Sequence, residues 1–393
     1  MAIASPSNGL SSKCNDLLWS IYEAAPQICL DLAGQLLRLA LPAMELRIPV
    51  MRYQGIARGG TDATIIVAGE NPWLDDLVSR FFQRRPRGKL LKECPSWMLP
   101  GVLRQHASAD LVLARVDRLS SRLLYGNEYY AVPEWAGAEV ILPENLEELF
   151  SDTESVKSDV RKVRKNHFTS KVSYSEADFE IFYHTMHVPF VQNRHGELAY
   201  VRNIHRLRKI FRRGGLLWIN QVNHPVAGLL FERCPGVFRA IVLGVAGGNT
   251  QLAQDGTLAA IYYHAFCLAH SEGTRLIDLG GTRPVLNDGI LSFKRKWGAR
   301  LFDKRDIFHD YLLRFDPASA AARSFLANTP LIHQDRGGLS AVVGLPASSG
   351  PATRPLGYAI PPGLRRLSVV GDGARSSEKM LQKTAPNLEL RFL

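Results

Sequence analysis

Three apolar segments in quick succession, between residues 215 and 245, constrain the fold of this chain most. They read GLLWINQV, VAGLLFER and VFRAIVLGV, and each has the length and the β-branched content of a strand. Two short turn-forming sequences separate them, Asn223-His224-Pro225 and Cys234-Pro235-Gly236. Connections this short join antiparallel neighbours, because a parallel pair needs a long crossover. The segment therefore predicts an antiparallel meander.

Helix and strand signals alternate after the meander. A glycine-rich loop (246–257) leads into an apolar helix (258–273), and RLIDLGG (275–281) follows as a buried strand. A further helix ends in FKRKWGA, and a last strand lies within 301–315. A meander followed by helix, strand, helix and strand predicts an α/β (α+β) domain with a mixed, largely antiparallel sheet flanked by helices.

Composition narrows the class of protein without naming a function. The length of 393 residues favours two domains, and the net charge of +11 favours an anionic partner such as a nucleotide cofactor, RNA or an acidic membrane face. The five cysteines are scattered without a C-x-x-C pair, which argues against a disulfide framework or zinc ribbon and for a reducing cytoplasm. No apolar run approaches the ~18–20 residues of a transmembrane helix.

The glycine-rich loop is the first candidate site. Backbone N–H groups and the positive end of a helix dipole attract phosphates where such a loop enters a helix. The residues expected to bind a phosphate-bearing cofactor there are Gly247, Gly248, Asn249, Gln254, Gly256 and Thr257. The same segment is also compatible with a plain surface loop that has a Thr or Asp helix cap.

Asp278 is the second candidate, because a carboxylate inside the apolar strand RLIDLGG is costly to bury without a partner. It either forms a structural ion pair, with Arg283 and Lys294 the nearest cations in sequence, or lies at a strand end facing a cleft. Both readings remain open from the residues alone.

Lys294 is the third candidate, because it falls on the wrong side of its helix. At ~100° per residue it lies within an apolar arc, whereas Arg295 and Lys296 project from the opposite side. A lysine in that position extends its ammonium to solvent or points it at an anion. The apolar arc consists of Ile290, Leu291, Phe293 and Trp297.

Other signals are weaker. His184 and His187 are spaced i, i+3 on a helix, but no third ligand suggests itself, so no metal site is expected. The basic runs 157–171 and 202–213 lack interleaved aromatic residues and are predicted as solvated helix faces rather than RNA tracks. The motifs of serine hydrolases and zinc proteases do not occur.

About residues 140–315 resemble the FemAB-type branch of the GNAT acyltransferase superfamily, which includes the peptidoglycan bridge-forming aminoacyltransferases. The most specific matching pieces are Asp278–Gly281, an aspartate-x-glycine-glycine motif, and Phe293-Lys294 with Trp297-Gly298. Gln254 and Gly256 echo the family's donor-binding signature at a different spacing.

The resemblance implies an N-acyltransferase built from two GNAT-like lobes. The expected divisions are a helical segment (1–45), a first lobe (46–145), an acyltransferase domain (146–320) and a low-complexity, flexible tail (345–393). Acyl-CoA, such as acetyl-CoA, is the implied co-substrate and binds at residues 246–258. Asp278 is the implied base or amine-orienting group, Lys294 the electrostatic stabiliser, and Arg283 a further catalytic candidate.

The implied acceptor is an amine of an envelope precursor, a sugar or a small metabolite, and no DNA partner is expected. Two alternatives remain: an aminoacyl-tRNA-dependent transferase, which the positive charge supports, and a non-catalytic binding protein that keeps the fold. No long helical insertion for tRNA appears between residues 150 and 315.

Overall fold

The structure, a computed structural model, describes residues 19, 22–196, 201–304, 308–345, 359–371, 378–384 and 388–393. Its strands are β1 (Ile48–Ile56), β2 (Asp62–Ala68), β3 (Lys89–Cys94), β4 (Leu111–Asp117), β5 (Tyr130–Pro133), β6 (Ala136–Ile141), β7 (Phe168–Ser173), β8 (Gly214–Gln221), β9 (His224–Cys234), β10 (Val237–Val245), β11 (Leu276–Thr282), β12 (Arg300–Phe302), β13 (His309–Phe315), β14 (Leu331–Asp335), β15 (Gly338–Gly344), β16 (Leu364–Val370) and β17 (Glu389–Phe392). Its α-helices are α1 (Gln27–Met44), α2 (Pro72–Phe81), α3 (Leu99–Arg104), α4 (Arg118–Leu123), α5 (Leu146–Phe150), α6 (Glu154–Lys165), α7 (Glu176–Phe182), α8 (Val188–His195), α9 (Ile204–Phe211), α10 (Thr250–Leu252), α11 (Leu258–Ser271), α12 (Gly289–Lys296), α13 (Ala320–Asn328) and α14 (Glu378–Thr384).

The chain divides into two compact units, each made of two segments. Unit 1 is Met1–Leu37 with Leu142–Ile277, and unit 2 is Arg38–Ile141 with Asp278–Leu393. The sequence pattern predicts consecutive domains instead, with a division near residue 145 and one domain continuing to 320. The difference arises because the chain returns after residue 278 to the strands of the first lobe, and hydrophobic periodicity carries no information about such a return.

The meander of unit 1 is present as predicted. β8, β9 and β10 pair antiparallel in sequence order, and β7 adds to β8 on the other side. The first turn has positive φ at both Val222 and Asn223, as a type I′ hairpin requires. A bulge between Ala240 and Val242 shifts the β10 register. The mixed α/β class is thereby confirmed by the strands and helices themselves.

Unit 2 is built around a sheet of order β3-β1-β2-β4-β13-β5, in which only β2 and β4 run parallel. Its core contains large aromatic side chains from helices α2 and α13 and from β13: Trp73, Phe81, Phe325 and Tyr311. β13 lies between β4 and β5, so the late segment completes the early sheet. β6 pairs antiparallel with β12.

Part of the segment predicted as a flexible tail is folded. β16 and β17, both within residues 345–393, pair parallel in a small sheet of order β14-β15-β16-β17. Leu367, Val369 and Val370 are fully buried there. The prediction of a low-complexity tail is therefore wrong over these strands, because a short apolar run, LRRLSVV, finds a partner in β15.

The basic run 202–213 forms ion pairs rather than a solvated face. Arg208 bonds Glu23 at 3.0 Å and also Glu180, and Arg212 contacts Glu23 and Glu176 at 3.1 and 2.8 Å. Burial raises the pKa of Glu23, but hydrogen bonds from His205 and Arg208 outweigh it and hold that pKa below its usual value. Arg208 and Arg212 thus tie this part of the chain to Glu23 and to α7.

A buried carboxyl on β13 gives a test of unit 2. Asp310 is fully buried, and burial raises its pKa from 3.8 to about 6, with attraction to Arg118 offsetting only part of the effect. Between these two pH values the folded chain keeps a proton that the unfolded chain has released. The stability due to Asp310 is therefore complete below about pH 4 and is lost as the pH rises through about 6.

We expect Asp310→Asn and the wild type to be similarly stable near pH 4, and the variant to be more stable by about 2–3 kcal/mol near pH 8. Urea unfolding across this pH range measures the difference. Asp62→Asn, at an exposed position on β2, is the matched control and should follow the wild type. Parallel curves for Asp310→Asn and the wild type would contradict the assignment.

Candidate active site

The turn between β11 and α12 is fixed by a helix cap. The Asp288 carboxylate accepts hydrogen bonds from the Leu291 N–H at 2.9 Å and from the Thr282 hydroxyl at 3.1 Å. Thr282 is fully buried at the end of β11. The Asn-Asp-Gly sequence before α12 thus both starts the helix and ties it to the strand.

Lys294 points inward from α12. The residue is only 4% exposed, and Leu291 and Trp297 on the same arc are buried with it, as the helical periodicity predicts. Its Nζ donates to the carbonyl oxygens of Gly280 and Gly281 at 3.0 and 2.9 Å. The ammonium therefore binds the end of β11 instead of extending to solvent.

Asp278 contacts the same strand end. Its Oδ1 accepts a hydrogen bond from the Gly280 N–H at 2.7 Å, and Lys304 Nζ lies 3.8 Å from its Oδ2. The residue is 8% exposed. Lys304 was missed by the sequence analysis, because it follows β12 and only the tertiary fold brings it to β11. The available signal was its position in a charged cluster, DKRD, directly after a short apolar segment.

Asp278, Gly280, Gly281 and Lys294 form one hydrogen-bonded group, which we call the Asp278–Lys294 turn. The glycines are required by its geometry: Gly280 has a φ of 77°, and a methyl group on Gly281 would lie 3.1 Å from the Trp135 Cβ. The two motif pieces that carry the family resemblance are thus in direct contact in the folded chain.

Arg283 is surrounded by aromatic rings rather than by the polar groups that Asp278 and Lys294 contact. Its guanidinium lies 4.6 Å from the centre of the Trp135 ring and 5.9 Å from that of Trp73. Burial lowers the pKa of Arg283, and the nearby Tyr311 and Glu134 act in the opposite direction. The ion pairs found among the described residues include none for Arg283, which is held by indole rings.

The glycine-rich loop (246–257) has two parts that differ in backbone conformation and in helix capping. In the first part, Gly247 and Gly248 have positive φ, and Asn249 Oδ1 caps α10 by accepting from the N–H groups of Gln251 and Leu252. A methyl group on Gly248 would lie 2.7 Å from the Pro189 carbonyl oxygen. These residues match the structural alternative, with Asn249 rather than Thr or Asp as the cap.

The second part, Gln254–Thr257, has a different geometry. Gly256, with a φ of 105°, kinks the chain before α11, and this helix starts without a side-chain cap. Thr257 is fully buried, and its hydroxyl makes no hydrogen bond to the described residues. A methyl group on Gly256 would lie 3.4 Å from Lys162 Cβ, so an exposed lysine stem packs beside the kink.

The histidine pair makes local contacts. The His187 ring nitrogen Nδ1 lies 3.0 Å from the Leu243 carbonyl oxygen, and burial lowers the pKa of His187. His184 lies 3.3 Å from Glu180. The described residues contain no group of three or more metal-ligating side chains. Within the same ranges, no helix combines the length and the apolarity needed to cross a bilayer.

No protein-family model and no curated protein sequence matches this chain. Solved structures that it is similar to include FemX, with 12% identity over 70% of this chain and 90% of that one at a TM-score of 0.36. L-PGS from Bacillus licheniformis matches with 12% identity over 68% and 85% of the two chains, at a TM-score of 0.32.

A GCN5-related N-acetyltransferase from Sphaerobacter thermophilus matches with 14% identity over 67% of this chain and 74% of that one, at a TM-score of 0.31. At TM-scores of this size, the roles proposed below rest on the residues of this chain alone.

The Asp278–Lys294 turn makes a prediction for stability. Lys294→Met keeps the aliphatic stem but leaves the carbonyl groups of Gly280 and Gly281 without their ammonium donor, so we expect unfolding free energy to fall by about 1–3 kcal/mol. Lys296→Met, on the same helix with its Nζ 5.4 Å from the Phe293 ring centre, is the control and should change stability by less than about 0.5 kcal/mol. Equal losses in denaturant titrations of the two variants would show that the contact is unimportant.

Proposed function

We propose that the protein is an N-acyltransferase that moves an acyl group from acyl-CoA to an amine. The Asp278–Lys294 turn is the observation that carries the proposal. It places a carboxylate, an ammonium and two glycine peptide groups in one buried arrangement, and these are the residues of the family motif. A charged group of this kind is expensive to bury for structure alone, which supports a functional reason for it.

Asp278 is the proposed amine-binding group. In acyl transfer, the amine nitrogen bonds the thioester carbonyl carbon, the C–S bond breaks, and the proton lost by nitrogen is balanced by one gained on sulfur. A carboxylate at the amine orients the nucleophile and accepts its proton. The N–H···Oδ1 bond from Gly280 fixes the rotamer of Asp278 for this task.

Lys294 is the proposed positioning residue for this turn. With its ammonium on two carbonyl oxygens, it holds the Gly280–Gly281 backbone and adds positive charge next to Asp278. A positive charge near a developing oxyanion lowers the barrier to acyl transfer. Arg283 is a further candidate, because its buried guanidinium is held between the Trp135 and Trp73 rings.

The donor phosphates are proposed to bind at the kink before α11. Gly256 and Thr257 stand at the positive end of the α11 dipole, and Lys162 lies beside them. Gln254 precedes the kink, and Gly247, Gly248 and Asn249 shape the loop that leads to it. Lys162 is an addition to the residues that the sequence analysis selects.

Acetyl-CoA binding tests the donor part. Calorimetry should show binding to the full chain, and Lys162→Gln should weaken it by about 5–10-fold, because one charge-assisted contact to phosphate is worth ~1 kcal/mol. Lys157→Gln, whose ammonium pairs with Glu154 at 2.8 Å on the same helix, is the control and should bind normally. No heat with acetyl-CoA, together with strongly salt-dependent binding of tRNA, would favour the aminoacyl-tRNA alternative.

Asp278→Asn tests the acceptor part. The variant keeps the shape of the side chain but removes its basicity, so acyl transfer to an amine panel should fall by about 10²–10⁴-fold while acetyl-CoA still binds. Asp288→Asn is a demanding control, because it retains the cap geometry of α12 and should keep most of the turnover. A folded Asp278→Asn variant with full turnover would exclude the proposed role.

A further inference from the structure

Unit 2 contains a cavity of about 540 Å³ that the proposed acyl transfer does not use. Its size falls in the ~300–1,000 Å³ range of small-molecule sites. The cavity forms at one end of the six-stranded sheet, where the start of β1 meets the ends of β2 and β3. Gly69 follows the end of β2 and donates its N–H to the Pro49 carbonyl oxygen, while Pro49 is paired with Glu93 across β1 and β3.

Both signs of charge line this cavity. The residues that line it include the acidic Glu45, Glu70 and Glu93 and the basic Arg47 and Arg115. Three glutamates thus line one cavity of a chain whose net charge is +11. A ligand that fits such walls carries a cationic group and an anionic group at once.

Glu45 and Arg115 are held in place by one histidine. Arg115 Nη2 lies 2.9 Å from His309 Nδ1, and His309 Nε2 lies 2.9 Å from Glu45 Oε1. A guanidinium only donates, so Nδ1 accepts and the Nε2–H donates to the carboxylate. The two charged groups are thereby fixed before any ligand arrives, which reduces the entropy cost of binding.

Each of these two groups keeps an unused polar atom. Glu45 Oε2 and Arg115 Nε are buried and make no hydrogen bond to the part of the chain that the structure describes. The carboxylate of Glu134 lies 3.9 Å from Arg115 Nη2, which is an ion pair without a hydrogen bond. Buried polar atoms are normally satisfied, so the arrangement suits a ligand that completes it after a small side-chain movement.

The same cavity has an apolar wall. Met44 and Leu46 line it and are 60% and 57% exposed, and Ile48 continues the wall into the core. Large aliphatic side chains with this exposure next to fixed charges offer a place for an aliphatic group of a ligand.

We infer that this cavity binds an α-amino acid with an aliphatic side chain. The ammonium of the ligand binds among Glu45, Glu70 and Glu93, its carboxylate binds Arg115, and its side chain contacts Met44 and Leu46. This site is independent of the proposed acyl transfer, because it uses none of the residues of the Asp278–Lys294 turn or of the α11 kink.

Calorimetry with three matched probes tests the inference on the full chain. L-leucine carries both charged groups, 4-methylpentanoate lacks its ammonium, and 3-methylbutylamine lacks its carboxylate. We expect L-leucine to bind at least about tenfold more tightly than either fragment, since each loses one charged contact. Equal affinities for the three probes, or no binding of L-leucine at millimolar concentration, would overturn the inference.

Two variants place the site in this cavity. Arg115→Gln should reduce L-leucine affinity about tenfold or more and leave 3-methylbutylamine unaffected, because only the carboxylate contact is lost. The double variant Glu70→Gln and Glu93→Gln changes two exposed side chains, so it should fold even if Arg115→Gln does not. It should weaken the binding of L-leucine and of 3-methylbutylamine by the same factor.

Arg80→Gln is the control outside the cavity. It removes a surface arginine that pairs with Asp76 within α2, so L-leucine should bind as in the wild type. Wild-type affinity in the folded Glu70→Gln and Glu93→Gln double variant would show that L-leucine binds elsewhere. Acetyl-CoA binding and acyl transfer should be unchanged in this double variant, so failure of the amino-acid site is distinguishable from failure of the proposed function.

Discussion

The burial of the Lys294 ammonium is the constraint on which the β11–α12 region depends. Removing such a charge from water costs several kcal/mol unless polar partners replace the solvent. The partners here are the carbonyl oxygens of Gly280 and Gly281, which must converge on one point. That convergence requires the left-handed φ of Gly280 and the helix start fixed by Asp288. The glycines, the cap and the lysine are therefore parts of one arrangement.

Local features of this arrangement are predictable from the sequence. The period of α12 places Lys294 among apolar residues, and the structure confirms its burial. The meander of β8, β9 and β10 is also predictable, since strands joined by turns this short can pair only as antiparallel neighbours. In both cases, the residues in contact are separated by at most a few tens of positions in the sequence.

Contacts between distant segments are what the sequence does not reveal. β13 inserts between β4 and β5 although about 180–200 residues separate it from them, and no periodicity encodes that pairing. The Lys304 contact to Asp278 and the His309 contact to Glu45 both depend on this return of the chain to unit 2. The expected domain boundaries are misplaced for the same reason, and the predicted tail conceals β16 because its partner β15 lies in the preceding segment.

The ion pairs of unit 1 show which of its positive charges are neutralised by carboxylates. Arg208 of α9 and Arg212, which follows this helix directly, are neutralised by Glu23, Glu176 and Glu180, whereas Arg206 on the same helix is exposed. On α6, Lys157 and Arg164 pair with Glu154 and Glu147, whereas Lys162 and Lys165 are exposed and have no ion-pair partner among the described residues.

Lys162 also lies beside the kink at Gly256, where α11 begins. Coulomb attraction and the helix dipole act in the same direction at that point; physiological salt screens the former over about 8 Å, and the latter acts within the first turn of the helix. A compact anion such as a pyrophosphate gains from both. This local combination supports the proposed binding of a phosphate-bearing donor at the kink.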